Sequence, residues 1–326
     1  MTVPGNSVAQ QPDDYRKDRL NHYLFITNPA AGKGEGRRIA RWLEKELRQS
    51  GLKYDMVETN RRGDATTYAE NSAADIVVAV GGDGTVNEVV NGLVHSGKHL
   101  GIIPAGSGND LIKSLGIPRS HQDAFDALRE GKPRSIDVGT LECTCTLMEK
   151  EDRGNESPKG RYFANGMGIG FDAAVAKHAS QIRWLSGTVL YLSAVLLTVR
   201  EYRPPMFDIV SEGQRSHERC LLIAIGNGSC AGGGFYLTPN ARVDDGNLDM
   251  CVIHQRSLLG VLALIPRVLK GKHINTDGVW SVRGKAFVIS SHEPFPVHTD
   301  GEIVADRATA VRVGIREQAL RVIVPG

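Results

Sequence analysis

The sequence predicts an α/β N-terminal domain built on a parallel sheet, followed by a β-rich C-terminal domain of the antiparallel sandwich type. Between residue 23 and about residue 137, short apolar runs alternate with helical stretches, which is typical of a parallel sheet covered by helices. After residue 136, strand-like runs follow one another with turn residues and few helices between them. We therefore expect a change of architecture near residue 137.

The elements of the first half follow from their apolar spacing. Short runs rich in Val and Ile predict parallel strands, and apolar residues on one side of a longer stretch predict helices. The predicted strands are 23–27, 54–58, 75–80 and 100–103, and the predicted helices are 37–50, 65–72 and 85–94.

In the second half, strands are predicted at 138–148, 161–165, 206–210, 219–226, 248–254, 278–282 and 286–290. The charged segment 149–159, which contains Gly and Pro, predicts a long hairpin loop. Residues 1–20 are polar and lack the apolar core of a signal peptide, so we expect a disordered tail.

Composition restricts the class of protein. The chain has 326 residues, of which 41% are hydrophobic and 23% charged, as in soluble globular proteins with room for two domains. A net charge of +2 is too close to neutral to indicate a nucleic-acid partner. The five cysteines are scattered and form no zinc-binding pattern, so we expect reduced thiols in the cytosol.

The junction between strand 75–80 and the following helix carries the strongest functional signal. Its sequence is Gly-Gly-Asp-Gly-Thr-Val-Asn-Glu, residues 81–88. Three glycines let the backbone approach a ligand, and the helix N-terminus presents free N–H groups to phosphate. Asp83 places a carboxylate where phosphate-bound Mg²⁺ would sit, and Thr85 adds a hydroxyl. The pattern favours phosphate binding over an ordinary strand-to-helix turn.

Two further loops of small residues follow strands of the same sheet. Residues 28–34, which include Lys33, lack the spacing of a P-loop and alone do not exclude a plain connecting turn. Residues 104–110 offer Ser107, Asn109 and Asp110 beside two glycines. Because ligands bind at the carboxyl ends of parallel strands, we expect the three loops to converge on one edge of the sheet.

The order of these segments resembles the catalytic domain of the diacylglycerol kinase family, in particular its soluble bacterial lipid kinases. The resemblance extends over nearly the whole chain after the tail and ends in Asp300-Gly301-Glu302. Gly-Gly-Asp-Gly also occurs in NAD kinases and phosphofructokinases, but its combination with residues 104–110 and with the late Asp-Gly-Glu is specific to the lipid kinases. Ser107 stands where the family usually has Thr and keeps the hydroxyl.

The resemblance implies ATP and Mg²⁺ as cofactors. The residues expected to bind ATP are Asn28, Pro29, Gly32, Lys33, Thr59, Gly81, Gly82, Asp83, Gly84, Thr85, Val86, Asn87 and Ser107. A structural Mg²⁺ is expected at Asp245, with backbone carbonyls of Arg242 and Asn247. Without the resemblance, the residues of this segment favour a surface turn over a metal site.

The resemblance also assigns the catalytic carboxylates. Glu302 matches the proton acceptor for the lipid hydroxyl, while Asp300 either orients it or serves instead; sequence does not separate the two. Asp83 is the third expected catalytic residue. His298 is interpreted as an ordinary histidine. By resemblance the final strand, 320–324, returns to the first domain, giving domains at 21–137 plus about 310–326 and at 138–309.

The implied partner is a lipid substrate at a membrane surface, reached by a cytoplasmic protein that associates peripherally with the membrane. The apolar segment 182–199 is either a buried helix or a lipid-contacting one. A second helix, 258–272, has a basic end that suits either anionic headgroups or the helix dipole. A homodimer is left open. The alternatives are a sphingoid-base kinase, a kinase of a soluble polyol or nucleotide, and a nucleotide-binding regulator without turnover.

Overall fold

The computed structural model describes residues 21–145, 160–171, 173–175, 178, 193–195, 197–199 and 202–326. The strands of this part of the chain are β1 His22–Thr27, β2 Lys53–Glu58, β3 Ile76–Gly81, β4 His99–Pro104, β5 Lys132–Cys145, β6 Arg161–Phe163, β7 Gly166–Gly170, β8 Met206–Ser211, β9 Gln214–Gly226, β10 Leu248–His254, β11 Val279–Gly284, β12 Ala286–Thr299 and β13 Glu302–Val324. The helices are α1 Glu35–Ser50, α2 Asp64–Glu70, α3 Asp83–Leu93, α4 Asp110–Leu115, α5 His121–Glu130 and α6 Leu258–Val268, with a 3-10 turn at Ala31–Gly34.

The first part of the chain is a parallel sheet between two layers of helices, as predicted. Its strands lie in the order β2-β1-β3-β4 and pair in parallel. Alternate side chains of the strands point to opposite faces. One face packs against α1 and α5, and the other packs against α2, α3 and α4. Every residue of β3 is buried, which explains its unbroken apolar sequence.

The second part is an antiparallel β-rich assembly with two apolar cores. The long strand β13 pairs with β12 and β5 along most of its length. Near its end it pairs in parallel with β4, where Arg321 and Val322 lie opposite His99 and Leu100. The last strand therefore returns to the first sheet, as expected. The exact domain boundaries at 137 and 309 remain predictions.

Two helices were not predicted, and several boundaries differ. Both α4 and α5 lie between β4 and β5, where the sequence analysis placed no helix, and β5 begins at Lys132 instead of residue 138. α3 begins at Asp83 instead of residue 85, so the predicted phosphate-binding residues already form its first turn. β12 extends nine residues beyond the predicted end at 290 and carries the chain to Thr299.

Some predictions fall on residues that are not described. They are the tail 1–20, residues 146–148 of the predicted strand 138–148, the whole loop 149–159 and most of the apolar segment 182–199, although residues 193–195 and 197–199 are helical. Among the helices that are described, none is both long and apolar enough to cross a membrane.

Candidate active site

The three predicted loops meet at the carboxyl edge of the parallel sheet. The backbone N–H of Asn28, after β1, donates to the Val80 carbonyl of β3 (3.0 Å), and the Ala105 N–H, after β4, donates to the Gly81 carbonyl (2.8 Å). The Asn28 side-chain amide donates to the Thr85 hydroxyl (3.0 Å) in the first turn of α3. The expected convergence of the three loops is therefore present.

Glycine is required at two of these contacts because backbone meets backbone. A Cβ atom on Gly32 would lie 2.2 Å from the Ala105 carbonyl oxygen, and Gly32 also has a left-handed φ of +57°. A Cβ atom on Gly106 would lie 2.5 Å from the Gly82 Cα. Any side chain at either position would separate the loops. These glycines hold the three loops close enough to act on one ligand.

Asp83 joins the second loop to the third. Its carboxylate accepts the backbone N–H groups of Asn109 (2.8 Å) and Asp110 (2.6 Å) at the start of α4. Burial, followed by the nearby Asp110 carboxylate, raises the pKa of Asp83 to about 7. Each carboxylate oxygen accepts only one of these N–H groups, so each still has a free lone pair for a further ligand.

Asp300 is buried and fully engaged in hydrogen bonds. One carboxylate oxygen accepts from the Asn87 amide (2.7 Å) and the Ala164 N–H (3.0 Å). The other accepts from the N–H groups of Asn165 (3.1 Å) and Gly166 (2.8 Å). Burial raises the pKa of Asp300, and these hydrogen bonds oppose that shift. The carboxylate thus fixes the segment 164–166 against α3.

Glu302 instead faces the cleft beside the glycine junction. One carboxylate oxygen, Oε1, lies 3.1 Å from the position that a Cβ atom on Gly84 would occupy. The other, Oε2, accepts from Arg62 Nη2 (3.0 Å) and from Arg161. Arg161 also donates to Thr299 (3.0 Å) and to Asn87 (2.9 Å), so Asn87 links Asp300 to the arginine that holds Glu302.

A cleft of about 520 Å³ lies between the three loops at the carboxyl edge of the parallel sheet and the β-rich second part of the chain. Its lining includes the predicted residues Asn28, Gly32, Gly82, Asp83, Gly84, Thr85, Ser107, Asp300 and Glu302, together with His298. The opposite wall is more apolar and includes Met167, Ile225 and Leu237. Pro29, Lys33, Gly81, Val86 and Asn87 do not line this cleft, and Asn87 acts instead through Asp300 and Arg161.

A second cavity of about 380 Å³ shares four lining residues with the cleft, namely Asn28, Gly84, Thr85 and Glu302. Thr59, predicted to contact ATP, lines it together with Arg61 and Arg62. The side chain of Asp64 closes this loop by accepting the N–H groups of Asn60 (2.9 Å) and Arg61 (3.0 Å). The two cavities therefore adjoin one another at these shared residues.

The expected metal residues lie away from the cleft, on the turn before β10. Asp245 Oδ1 accepts the Asn247 N–H (3.1 Å), and Oδ2 lies 3.3 Å from Arg283 Nη1. Asp249 faces the same guanidinium at 3.3 Å, and its pKa is raised by burial and, to a smaller extent, by Asp245. Asp245 and Asp249 together carry one negative charge more than the guanidinium that they share, and a cation could balance that charge. Within the described part of the chain, no three His, Cys, Asp or Glu side chains form a metal cluster by themselves.

Arg62 and Arg161 were missed in the sequence analysis. They lie 240 and 141 positions from Glu302 along the chain, and no local pattern pairs residues so far apart. The Asp110 side chain is one of the three polar side chains predicted on the loop 104–110. It accepts from Lys113 (2.7 Å) and from the Gly233 N–H (3.0 Å), and so connects α4 to the glycine segment of the opposite wall.

Comparison with known proteins identifies the family. Residues 22–141 match the diacylglycerol kinase catalytic domain, and residues 166–324 match the YegS C-terminal NAD kinase beta sandwich-like domain. A diacylglycerol kinase of Mycobacterium tuberculosis (strain ATCC 25618 / H37Rv) is 31% identical over 295 residues, which cover 88% of this chain and 90% of that protein. The diacylglycerol kinase of Bacillus subtilis (strain 168) is 27% identical over 285 residues, covering 85% and 88%.

Solved structures share the fold. A crystal structure from Bacillus anthracis str. Sterne has a TM-score of 0.72 at 26% identity and covers 95% of this chain and 98% of that chain. A crystal structure of a diacylglycerol kinase from the same organism has a TM-score of 0.70 at 23% identity, with the same coverage. With two family domains in order and a relative of this similarity over most of both chains, the protein belongs to the diacylglycerol kinase family and is a diacylglycerol kinase-like enzyme, a lipid kinase.

Proposed function

We propose that the enzyme transfers the γ-phosphoryl group of ATP to the hydroxyl of diacylglycerol or a closely related lipid, with Mg²⁺. The observation that carries the proposal is the position of Glu302, whose carboxylate lies against Gly84 at the start of α3. A phosphate held at this helix N-terminus would have the base beside it. The apolar wall with Met167, Ile225 and Leu237 suits the glycerol and the first carbons of a lipid.

In this mechanism Glu302 takes the hydroxyl proton as the lipid oxygen attacks the γ-phosphorus. The bond from phosphorus to the bridging oxygen of ADP breaks, and ADP leaves with that electron pair. Asp300 is the weaker candidate for the base because both its oxygens are already occupied by four N–H donors. We assign it the positioning of the segment 164–166 and, through Asn87 and Arg161, of Glu302.

The remaining predicted residues receive binding roles. Backbone N–H groups of the three loops and the hydroxyls of Thr85 and Ser107 would hold the phosphates, and Thr59 would face the nucleotide from the second cavity. Asp83 would help to hold Mg²⁺, which would offset the phosphate charge when bound. Arg62 would contact phosphate from the second cavity, since its guanidinium already lies beside Glu302.

A separate structural Mg²⁺ would be held by the Asp245 carboxylate and by the backbone carbonyls of Arg242 and Asn247. It would stabilise the turn before β10 by neutralising the charge of neighbouring aspartates. We further propose that the protein works at the cytoplasmic face of a membrane, because its lipid substrate resides there.

A substrate panel tests the proposed function. Purified enzyme is given γ-labelled ATP, with Mg²⁺ or with a chelator, and dispersed diacylglycerol, ceramide, sphingosine or glycerol. We expect label in phosphatidic acid, only when Mg²⁺ is present. Label predominantly in sphingosine or glycerol would replace the proposed substrate. ATP binding without labelled product from any acceptor would favour a regulator without turnover.

A further inference from the structure

Helix α6 exposes an unusually apolar face. The large hydrophobic side chains exposed in the described part of the chain number five, and three of them, Leu258, Leu259 and Leu262, belong to this helix. Leu259 is 77% exposed. The other exposed positions of the helix before Arg267 are Ala263 and Pro266. The outward face of α6 therefore carries no polar side chain from its first residue to Pro266.

The charge of the surrounding segment has one sign. Arg267, Lys270 and Lys272 are exposed directly after the apolar face, and no acidic residue occurs between positions 257 and 276. His273 in this segment is buried, and burial lowers its pKa, so it contributes no charge near neutral pH. An apolar helix face bordered by cations matches the acyl and headgroup layers of an anionic bilayer.

The inner face of α6 packs against a wall of the active site. Val261 and Leu264 belong to the same buried cluster as Leu237 and Ala224, both of which line the cleft. The Tyr236 N–H donates to the carbonyl of Val268 at the helix C-terminus (3.2 Å), and Tyr236 is another of the exposed hydrophobic residues. A bilayer on the outer face of α6 would thus lie beside the wall that we assign to the lipid.

We infer that α6 is the membrane-docking surface of this enzyme: its three leucines enter the acyl layer and its basic end binds anionic headgroups. This inference rests on the proposed function for its biological sense, but vesicle binding can be measured without turnover. The membrane, rather than a protein partner, is the occupant because no acidic residue of the segment pairs with these cations and the large exposed side chains of the helix itself are leucines, not the aromatic residues typical of protein interfaces.

The test is flotation of the full chain with vesicles of phosphatidylcholine containing 30% phosphatidylglycerol (about one lipid in three, enough for a negative surface). Leu259→Ser should lower the partition coefficient about tenfold or more, from the loss of a buried leucine. Changing Lys270 to Gln should lower it about fivefold on these vesicles and leave binding to pure phosphatidylcholine unchanged. The matched control is Lys45→Gln on the exposed side of α1, which should bind as the wild type does.

Activity on a water-soluble, short-chain diacylglycerol separates this inference from the proposed function. Leu259→Ser should keep wild-type turnover of that substrate and lose turnover of vesicle-embedded lipid. A wild type that binds vesicles through α6 but phosphorylates no lipid would overturn the proposed function alone. Wild-type vesicle binding by Leu259→Ser would overturn the docking surface. If the substitution instead converts a dimer to a monomer, with unchanged vesicle binding, the face belongs to a second copy and the inference is wrong.

Discussion

Replacing Asp300 by Asn should destabilise the protein, whereas replacing Glu302 by Gln should slow the reaction. Each Asp300 oxygen accepts two N–H groups, so an amide nitrogen in place of either oxygen leaves two donors unpaired. At about 1–3 kcal/mol for each unpaired buried group, the free energy of unfolding falls by about 2–6 kcal/mol. The backbone adds no strain, because φ at Asp300 is +47° and Asn tolerates that region.

For Glu302→Gln the expected loss of stability is only about 1 kcal/mol. The Gln side chain keeps an acceptor oxygen for Arg161, and the ion pair with Arg62 contributes little because Arg62 is largely solvated. Its kcat should fall by about 10²–10⁴, the usual contribution of a positioned general base. Urea unfolding gives the stability of each variant, and single-turnover transfer from saturating ATP to one accepted lipid gives the rate. Asp126→Asn, on the exposed side of α5, is the control and should change neither quantity.

The melting temperature offers a second readout. At roughly 2–4 °C per kcal/mol for a chain of this size class, Asp300→Asn should melt about 5–20 °C lower. The assignment would be reversed by an Asp300→Asn protein that melts within about 2 °C of the wild type and yet loses more kcat than Glu302→Gln. Asp300 would then be the base, and its four hydrogen bonds would have to be replaced when the lipid binds.

Four further predictions concern Asp83, Asp245 and Arg62. Asp83 has a pKa of about 7, so kcat/KM for ATP should rise as the pH increases through that value. Asp83→Asn should lose most of the activity and should no longer show this rise with pH. A variant with the pH profile of the wild type would exclude the catalytic role of Asp83. Because that pKa is raised from 3.8, the stability contributed by protonated Asp83 should be lost as pH rises from about 4 to about 7, and urea unfolding of Asp83→Asn should lack this slope. Mg²⁺ should raise the melting temperature of the wild type but not of Asp245→Ala, and equal responses by calorimetry would favour a plain turn. Arg62→Gln should weaken ATP binding about tenfold, as measured by titration calorimetry. Arg61→Gln is the control and should weaken ATP binding much less, because the Arg61 guanidinium is already paired with Asp64. Equal losses of affinity in the two variants would remove the special role of Arg62.

The sequence was sufficient for the four parallel strands and for the three loops, whereas β7 and most of β13 were not predicted. β3 is buried on both faces, so its apolar run had one reasonable interpretation. The short helix α4 was missed because its start depends on distant groups: Asn109 is left-handed, and the Asp83 carboxylate binds the N–H groups of Asn109 and Asp110. α5 does carry a local signal, a Ser120 cap that accepts the Asp123 N–H, and this signal was overlooked.

The roles of the two late carboxylates could not be separated from residue types. Asp300 and Glu302 are two positions apart on a turn, and either side chain suits a solvated turn or a base. Only the fold shows that Asp300 is surrounded by backbone N–H groups, whereas Glu302 faces Gly84 and is held by two arginines. Such information lies in contacts between segments more than a hundred residues apart, which no local pattern records.

The most direct measurement of the central claim is the appearance of phosphorylated lipid from γ-labelled ATP and dispersed diacylglycerol, with wild type and Glu302→Gln purified in parallel. We predict labelled phosphatidic acid from the wild type and a rate lower by about 10²–10⁴ in the variant, at equal ATP binding. Equal rates in the two proteins would remove Glu302 from the chemistry. Hydrolysis of ATP by the wild type without any labelled lipid would contradict phosphoryl transfer to diacylglycerol.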